Sequence, residues 1–227
     1  MITTLKVLSL LLTYPSRELC AGTGELGKAL DDERLLTGAS RKALEPLFQS
    51  LTNEDIYDLQ EEYVLLFDRT KTLSLHLFEH VHGEGRDRGQ AMVNLKEMYE
   101  DAGLEFDAAE LPDFVPAFLE FLSTLSIDKA REHLGQPAHI FGALQTRLEE
   151  KQSPYAAVFA ALEVLSDTEA AAETVAELLK EPTEDPNDLE ALDKAWEDAA
   201  VEFGPGAALS DSCPATRDML NRMTTGD

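Results

Sequence analysis

Three of the five histidines, His76, His80 and His82, crowd into one short stretch, and the first two frame the string His76-Leu77-Phe78-Glu79-His80. This is an H-x-x-E-H pattern. On a helix, positions i and i+4 share a face. His76 and His80 would then offer two imidazole nitrogens to one zinc ion, with Glu79 beside them as general base. His82 adds a nitrogen only if the helix has already ended. That is the chemistry of a zinc-dependent hydrolase, and it needs a third ligand and a cleft. Candidate acids downstream, Glu149, Glu150 and Glu163, belong to a chain rich in acid throughout. The competing reading makes these histidines hydrogen-bonded residues at a helix end, next to a binding surface. No G-x-S-x-G elbow or Walker A loop is present, and no G-x-G-x-x-G follows a strand, to suggest another catalytic class.

The histidines run into Gly83-Glu84-Gly85 and then Arg86-Asp87-Arg88-Gly89. Gly83 suits the left-handed cap of the preceding helix, and Asp87 suits the N-cap of a helix beginning near Gln90. Arg86 and Arg88 are placed to order the turn through Glu79, Glu84 or Asp113, by charge-assisted hydrogen bonds or plain solvated pairs.

These residues need helices to hold them. Ile56, Leu59, Tyr63, Leu66 and Phe67 recur at three and four, behind Thr52-Asn53-Glu54-Asp55, which has capping-box form. The spacing predicts a helix from about Asn53 to Phe67. Met92, Leu95, Met98 or Tyr99, and Ala102 repeat the pattern, and Gly103 offers a left-handed stop. Phe114, Phe118, Leu122 and Leu125 do so again behind Leu111-Pro112-Asp113, with proline in the first turn and Asp113 bonding free amides. Ser153-Pro154 predicts a helix to about Leu165, and Asp167-Thr168-Glu169 one ending near Lys180. No stretch sustains the alternation of a strand. The expected fold is all-α, a single helical bundle domain of about ten helices.

That domain is expected over residues 1–180. Residues 181–203 read as an acidic linker, Glu181-Pro182-Thr183-Glu184-Asp185-Pro186, followed by a short amphipathic helix carrying Trp196. Residues 204–227, rich in Gly, Ser, Pro and Thr, read as a disordered tail.

The chain has 227 residues and a formal net charge of −25. A field of that sign repels nucleic acid and anionic lipid and favours basic peptides. Cys20 and Cys213 form no C-x-x-C pair, which leaves two reduced thiols and a cytoplasmic setting as the expectation. The apolar run Val7 to Leu12 is too short to span a bilayer, so no direct membrane insertion is expected.

Longer strings then carry a resemblance. Residues Ser74 to Met92, Tyr99-Glu100-Asp101-Ala102-Gly103-Leu104 and Glu110-Leu111-Pro112-Asp113-Phe114-Val115-Pro116-Ala117-Phe118-Leu119-Glu120 resemble the molybdenum cofactor assembly chaperones of nitrate reductase, the NarJ type, within the redox enzyme maturation proteins. Tyr14-Pro15, Tyr63-Val64-Leu65-Leu66-Phe67-Asp68 and Leu192-Asp193-Lys194-Ala195-Trp196-Glu197 add to it, so the similarity spans roughly residues 5 to 203. The chain departs from the pattern at Phe114, where the family often carries histidine.

The resemblance implies a cytoplasmic, all-helical chaperone without catalysis or cofactor of its own. It would bind the N-terminal, leader-like segment of the nitrate reductase catalytic subunit and hold the apo-enzyme for molybdenum cofactor insertion before membrane docking. A maturation chaperone for another molybdoenzyme is the near alternative, and a weak homodimer is allowed. A basic amphipathic leader calls for an apolar groove edged by carboxylates. Tyr63, Phe67, Leu77, Phe78 and Phe118 are the groove candidates, and Glu79, Asp113 and Glu120 the acidic partners. His80, His82, Arg86 and Arg88 are assigned to ordering the turn or touching the client.

Overall fold

The structure is a computed structural model and describes residues 1–81, 86–105, 110–166, 168, 170–183, 185 and 188, the side chains of Arg86 and Asp87 excepted. Among these residues the fold is all-α, as expected. Eleven α-helices follow one another: α1 (Thr3–Leu11), α2 (Arg17–Glu33), α3 (Gly38–Ala43), α4 (Glu45–Asn53), α5 (Ile56–Tyr63), α6 (Arg86–Asp101), α7 (Val115–Thr124), α8 (Ile127–Gly135), α9 (Ala138–Glu150), α10 (Ala156–Ser166) and α11 (Ala172–Leu178). No strand occurs among them, only an isolated antiparallel bridge between His76 and Phe114. Gly83, Trp196, Cys213, Glu184 and Pro186 of the acidic linker, and the whole tail lie outside the described residues.

The most apolar helices lie at the centre. In α1, Leu5, Val7, Leu8 and Leu11 are all buried, because the helix packs on α7 on one side and α2 on another. Its exposed first amides are capped from a distance. The Glu33 carboxylate at the end of α2 accepts from Thr3 N–H at 2.9 Å and from Thr4 N–H, placing negative charge at a helix N-terminus. α10 runs against α8 and α9, burying Val158, Phe159, Leu162 and Leu165. Each such Leu or Phe contributes about 1.5–3 kcal/mol by leaving water.

The predicted boundaries shift where local chemistry outweighs periodicity. Asp55 alone caps α5, accepting from Tyr57 N–H at 2.9 Å, so that helix starts three residues later than the Thr52 pattern suggests. It does not run on to Phe67 as an α-helix. From Val64 to Asp68 the backbone widens into a π-turn, with Arg69 N–H donating five residues back to Val64 O. The extra residue lets Tyr63, Leu66 and Phe67 all turn inward. Phe67 then meets the rings of Tyr63 and Tyr155 at 4.9 and 5.1 Å. α6 begins at Arg86 rather than near Gln90 and stops at Gly103, whose φ of +81° is the left-handed cap expected. The proline in the first turn of α7 is Pro116, not Pro112. α10 runs from Ala156 to Ser166 behind Ser153-Pro154, and α11 is a shorter helix than expected, starting at Ala172.

Candidate functional site

The segment holding the H-x-x-E-H string is not a helix. His76 is extended (φ −96°, ψ 112°), and only Leu77–Glu79 form a single 3-10 turn. The imidazoles therefore do not stack one turn apart. His80 is buried, and its Nε2 donates to Ser74 O at 2.7 Å. His76 turns instead towards Asp113. Among the described residues no group of three or more His, Cys, Asp or Glu side chains is arranged to hold a metal ion. The zinc-hydrolase geometry depended on a helix that this segment does not form.

What forms is a knot between two irregular stretches. Val115 N–H donates to Leu75 O at 2.8 Å, and Leu77 N–H donates to Asp113 O at 3.0 Å. The Asp113 side chain, fully buried, accepts from Phe78 N–H at 3.0 Å and faces His76 Nδ1 at 3.3 Å. Tyr99 of α6 donates its hydroxyl to Pro112 O at 2.8 Å. Asp113 thus bonds a free amide as expected, but that of the distant 3-10 turn rather than its own helix. Phe114, at the position where histidine is common, packs its ring 5.3 Å from the His76 imidazole, and His76 is the residue that offers Asp113 a ring nitrogen.

The opposite side of the knot is tied by Arg147 of α9, which sequence reasoning did not single out. The residue is 3% exposed. It donates to Thr72 O at 2.7 Å, to Leu178 O at 2.7 Å and to Glu181 O at 3.0 Å. One side chain therefore joins the segment before the histidines to the end of α11. A signal existed, because Arg147 interrupts the buried stripe of Ile140, Ala143, Leu144 and Leu148. A cation on such a stripe must find acceptors inside.

The nominated residues divide by exposure. Tyr63, Phe67, Leu77, Phe78 and Phe118 are 4, 5, 0, 2 and 1% exposed, so they pack the core and do not line an open groove in this conformation. Asp113 spends its carboxylate internally and is not a rim acid. Glu79 and Arg88 come together at 4.0 Å with about a third of each side chain exposed, a weak surface pair. Glu120 is half exposed and pairs with Lys6 of α1, apart from the knot. His82 lies outside the described residues, as does the side chain of Arg86.

The histidines differ in charge behaviour. The hydrogen bond to Asp113 raises the His76 pKa against the opposing effect of burial, helped by the charges of Asp113, Glu79 and Glu110. Burial lowers that of His80, with Arg147 adding to the effect, and burial together with His80 lowers that of His139. The stability from His76 is complete below the ordinary histidine range near pH ~6.5 and is lost as pH rises through its raised pKa. His80 and His139 act oppositely, their contribution being lost as pH falls below that range. An NMR titration of the imidazole protons should show His76 titrating above the ordinary value and His80 below it; His80 titrating at or above it would contradict the buried neutral ring.

With this geometry in place, the relatives can be compared. The chain is 39% identical over 208 residues to the nitrate reductase molybdenum cofactor assembly chaperone NarJ of Escherichia coli (strain K12), covering 92% of this chain and 88% of that protein. It is 33% identical over 153 residues to a probable chaperone of the same description from Bacillus subtilis (strain 168), covering 67% and 82%. Among solved structures, a crystal structure of a redox enzyme maturation protein from Archaeoglobus fulgidus superposes with a TM-score of 0.53 at 26% identity, over 74% of this chain and 94% of that one. The profile of the nitrate reductase delta subunit family matches residues 33–161, which hold the π-turn, the knot and Arg147. The chain belongs to the nitrate reductase delta subunit family.

Proposed function

We propose that this protein is a cytoplasmic, non-catalytic maturation chaperone that binds the N-terminal, leader-like segment of the nitrate reductase catalytic subunit and holds the apo-enzyme for molybdenum cofactor insertion. The similarity over 92% of the chain to a relative named as a nitrate reductase molybdenum cofactor assembly chaperone supports this reading. Physical features agree with it. A net charge of −25 attracts basic peptides, the histidine segment is spent on holding the fold, and no helix among the described residues is long and apolar enough to cross a membrane. Of the nominated side chains, Glu79, Arg88 and Glu120 remain accessible to a client, while Tyr63 and Phe67 form the wall behind the surface.

The test is calorimetric titration of a synthetic peptide copying the client's N-terminus into the purified full chain. Binding is expected, weakening as salt rises from about 0.05 to 0.5 M because exposed carboxylates supply part of the attraction. No heat of binding at any salt concentration contradicts the reading.

A further inference from the structure

An open cleft of about 310 Å³ lies between the turn after α1, helix α5 and the π-turn, away from the knot. Two tyrosines stand at it, and both are unusually exposed for their size, Tyr57 at 70% and Tyr14 at 48%. Tyr14 is held in place from behind, its ring meeting the buried Tyr63 ring edge-on at 5.5 Å. Tyr63 is itself fixed by donating to Leu12 O at 2.9 Å. Between the tyrosines, the π-turn contributes Val64 and Leu65, only partly covered. A widened helical turn next to a cleft often marks a functional position, and here it turns two apolar side chains outward while Leu66 and Phe67 fill the core.

The charge around the cleft is uneven. α5 carries Asp58, Glu61 and Glu62 and no Lys or Arg. Among the described residues none of the three forms an ion pair, although Arg69 lines the same cleft as Glu61. Glu62 is half-buried without a cation, and burial pushes its carboxyl pKa up, with Glu54 adding to the effect. A cleft edged by two tyrosines, with Val64 and Leu65 in its wall and Glu61 at its side, fits a peptide that presents a large apolar side chain next to a basic one.

Resting on the peptide-binding reading above, we propose that this cleft seats the client's N-terminal segment. An apolar side chain of the peptide enters between Tyr14 and Tyr57 over Val64 and Leu65, and a neighbouring lysine or arginine pairs with Glu61. Tyr63 and Phe67 act as positioning residues, holding Tyr14 and the π-turn from the core side.

The experiment is titration of the same N-terminal peptide into the full chain and into Tyr57→Ala, Tyr14→Ala and Glu61→Lys. Val164→Ser, which removes an apolar side chain 51% exposed on α10, serves as the control surface. Tyr57→Ala should weaken the Kd by about tenfold or more, as loss of a central aromatic anchor does. Glu61→Lys should weaken it and flatten its salt dependence, and Val164→Ser should bind as wild type. Circular dichroism melting checks that each variant is folded; if Tyr14→Ala is not, Tyr57→Ala and Glu61→Lys decide, since both side chains are exposed. Wild-type affinity in Tyr57→Ala and Glu61→Lys overturns the seat while leaving the chaperone reading intact. Absence of binding by the wild type overturns both.

Discussion

Replacing Asp113 with alanine will lower the unfolding free energy by about 3 kcal/mol. The carboxylate is fully buried and accepts from Phe78 N–H while facing His76 Nδ1. Alanine leaves a buried amide without its acceptor and a partly buried imidazole without its counterpart, and the backbone cannot turn the amide towards water because Leu77 and Val115 are pinned in the same knot. Asp113→Asn retains an oxygen for Phe78 N–H and loses only the charge, so a smaller loss of about 1 kcal/mol is expected. In both variants the His76 pKa should fall, because alanine removes both the hydrogen bond and the charge that raise it and asparagine removes the charge. Urea unfolding measures the stability, and NMR titration the imidazole. An Asp113→Ala protein within about 0.5 kcal/mol of wild type, the range of ordinary surface changes, would show that the knot does not hold the segment.

The second large effect is expected at Arg147. Arg147→Met conserves much of the side-chain length but leaves the carbonyls of Thr72, Leu178 and Glu181 without their donor, a loss of about 3–5 kcal/mol. Arg147→Lys should recover only part of this, because a single ammonium cannot span carbonyls that the planar guanidinium reaches from both sides. The damage should be local before it is global. α11 has no buried residue and sits close to α9 at Gly142, where a Cβ would approach Val175 to 3.2 Å, so its attachment leans on Arg147. Hydrogen exchange should therefore quicken first in residues 172–181 and 71–80. Unchanged exchange there in Arg147→Met contradicts the tether.

Much of this architecture could be read from the residues. Stripes at three and four gave α6 and α7, and Gly103 gave the stop of α6, because a left-handed residue after an amphipathic run has few other uses. The histidine segment was misread as a helix for a physical reason. Leu73, Leu75 and Leu77 alternate with Ser74 and His76, an extended pattern, yet Leu77, Phe78 and Val81 also fit a helical face. The tie was broken by Asp113 and Phe114, about 37 residues away, which supply the backbone partners an isolated extended segment lacks. The π-turn is likewise set by tertiary demand, since three neighbouring large residues, Tyr63, Leu66 and Phe67, are all buried, with Tyr63 meeting Tyr14 and both Tyr63 and Phe67 meeting Tyr155. Aromatic spacing nominated Tyr63, Phe67, Leu77, Phe78 and Phe118 as groove residues and the structure buries all five, because spacing cannot tell a core wall from a groove floor. The exposed Tyr14 and Tyr57 stood out only once α5 had a defined orientation.

The proposed recognition of the client runs through its leading segment, without chemistry. Its most direct measurement is co-purification of this chain with the apo catalytic subunit of nitrate reductase, intact and with its N-terminal segment deleted, at equal concentrations. The intact subunit should be retained at near-equimolar ratio, and the deleted form should be lost or much reduced. Equal retention of both forms would place recognition elsewhere on the client and contradict the account.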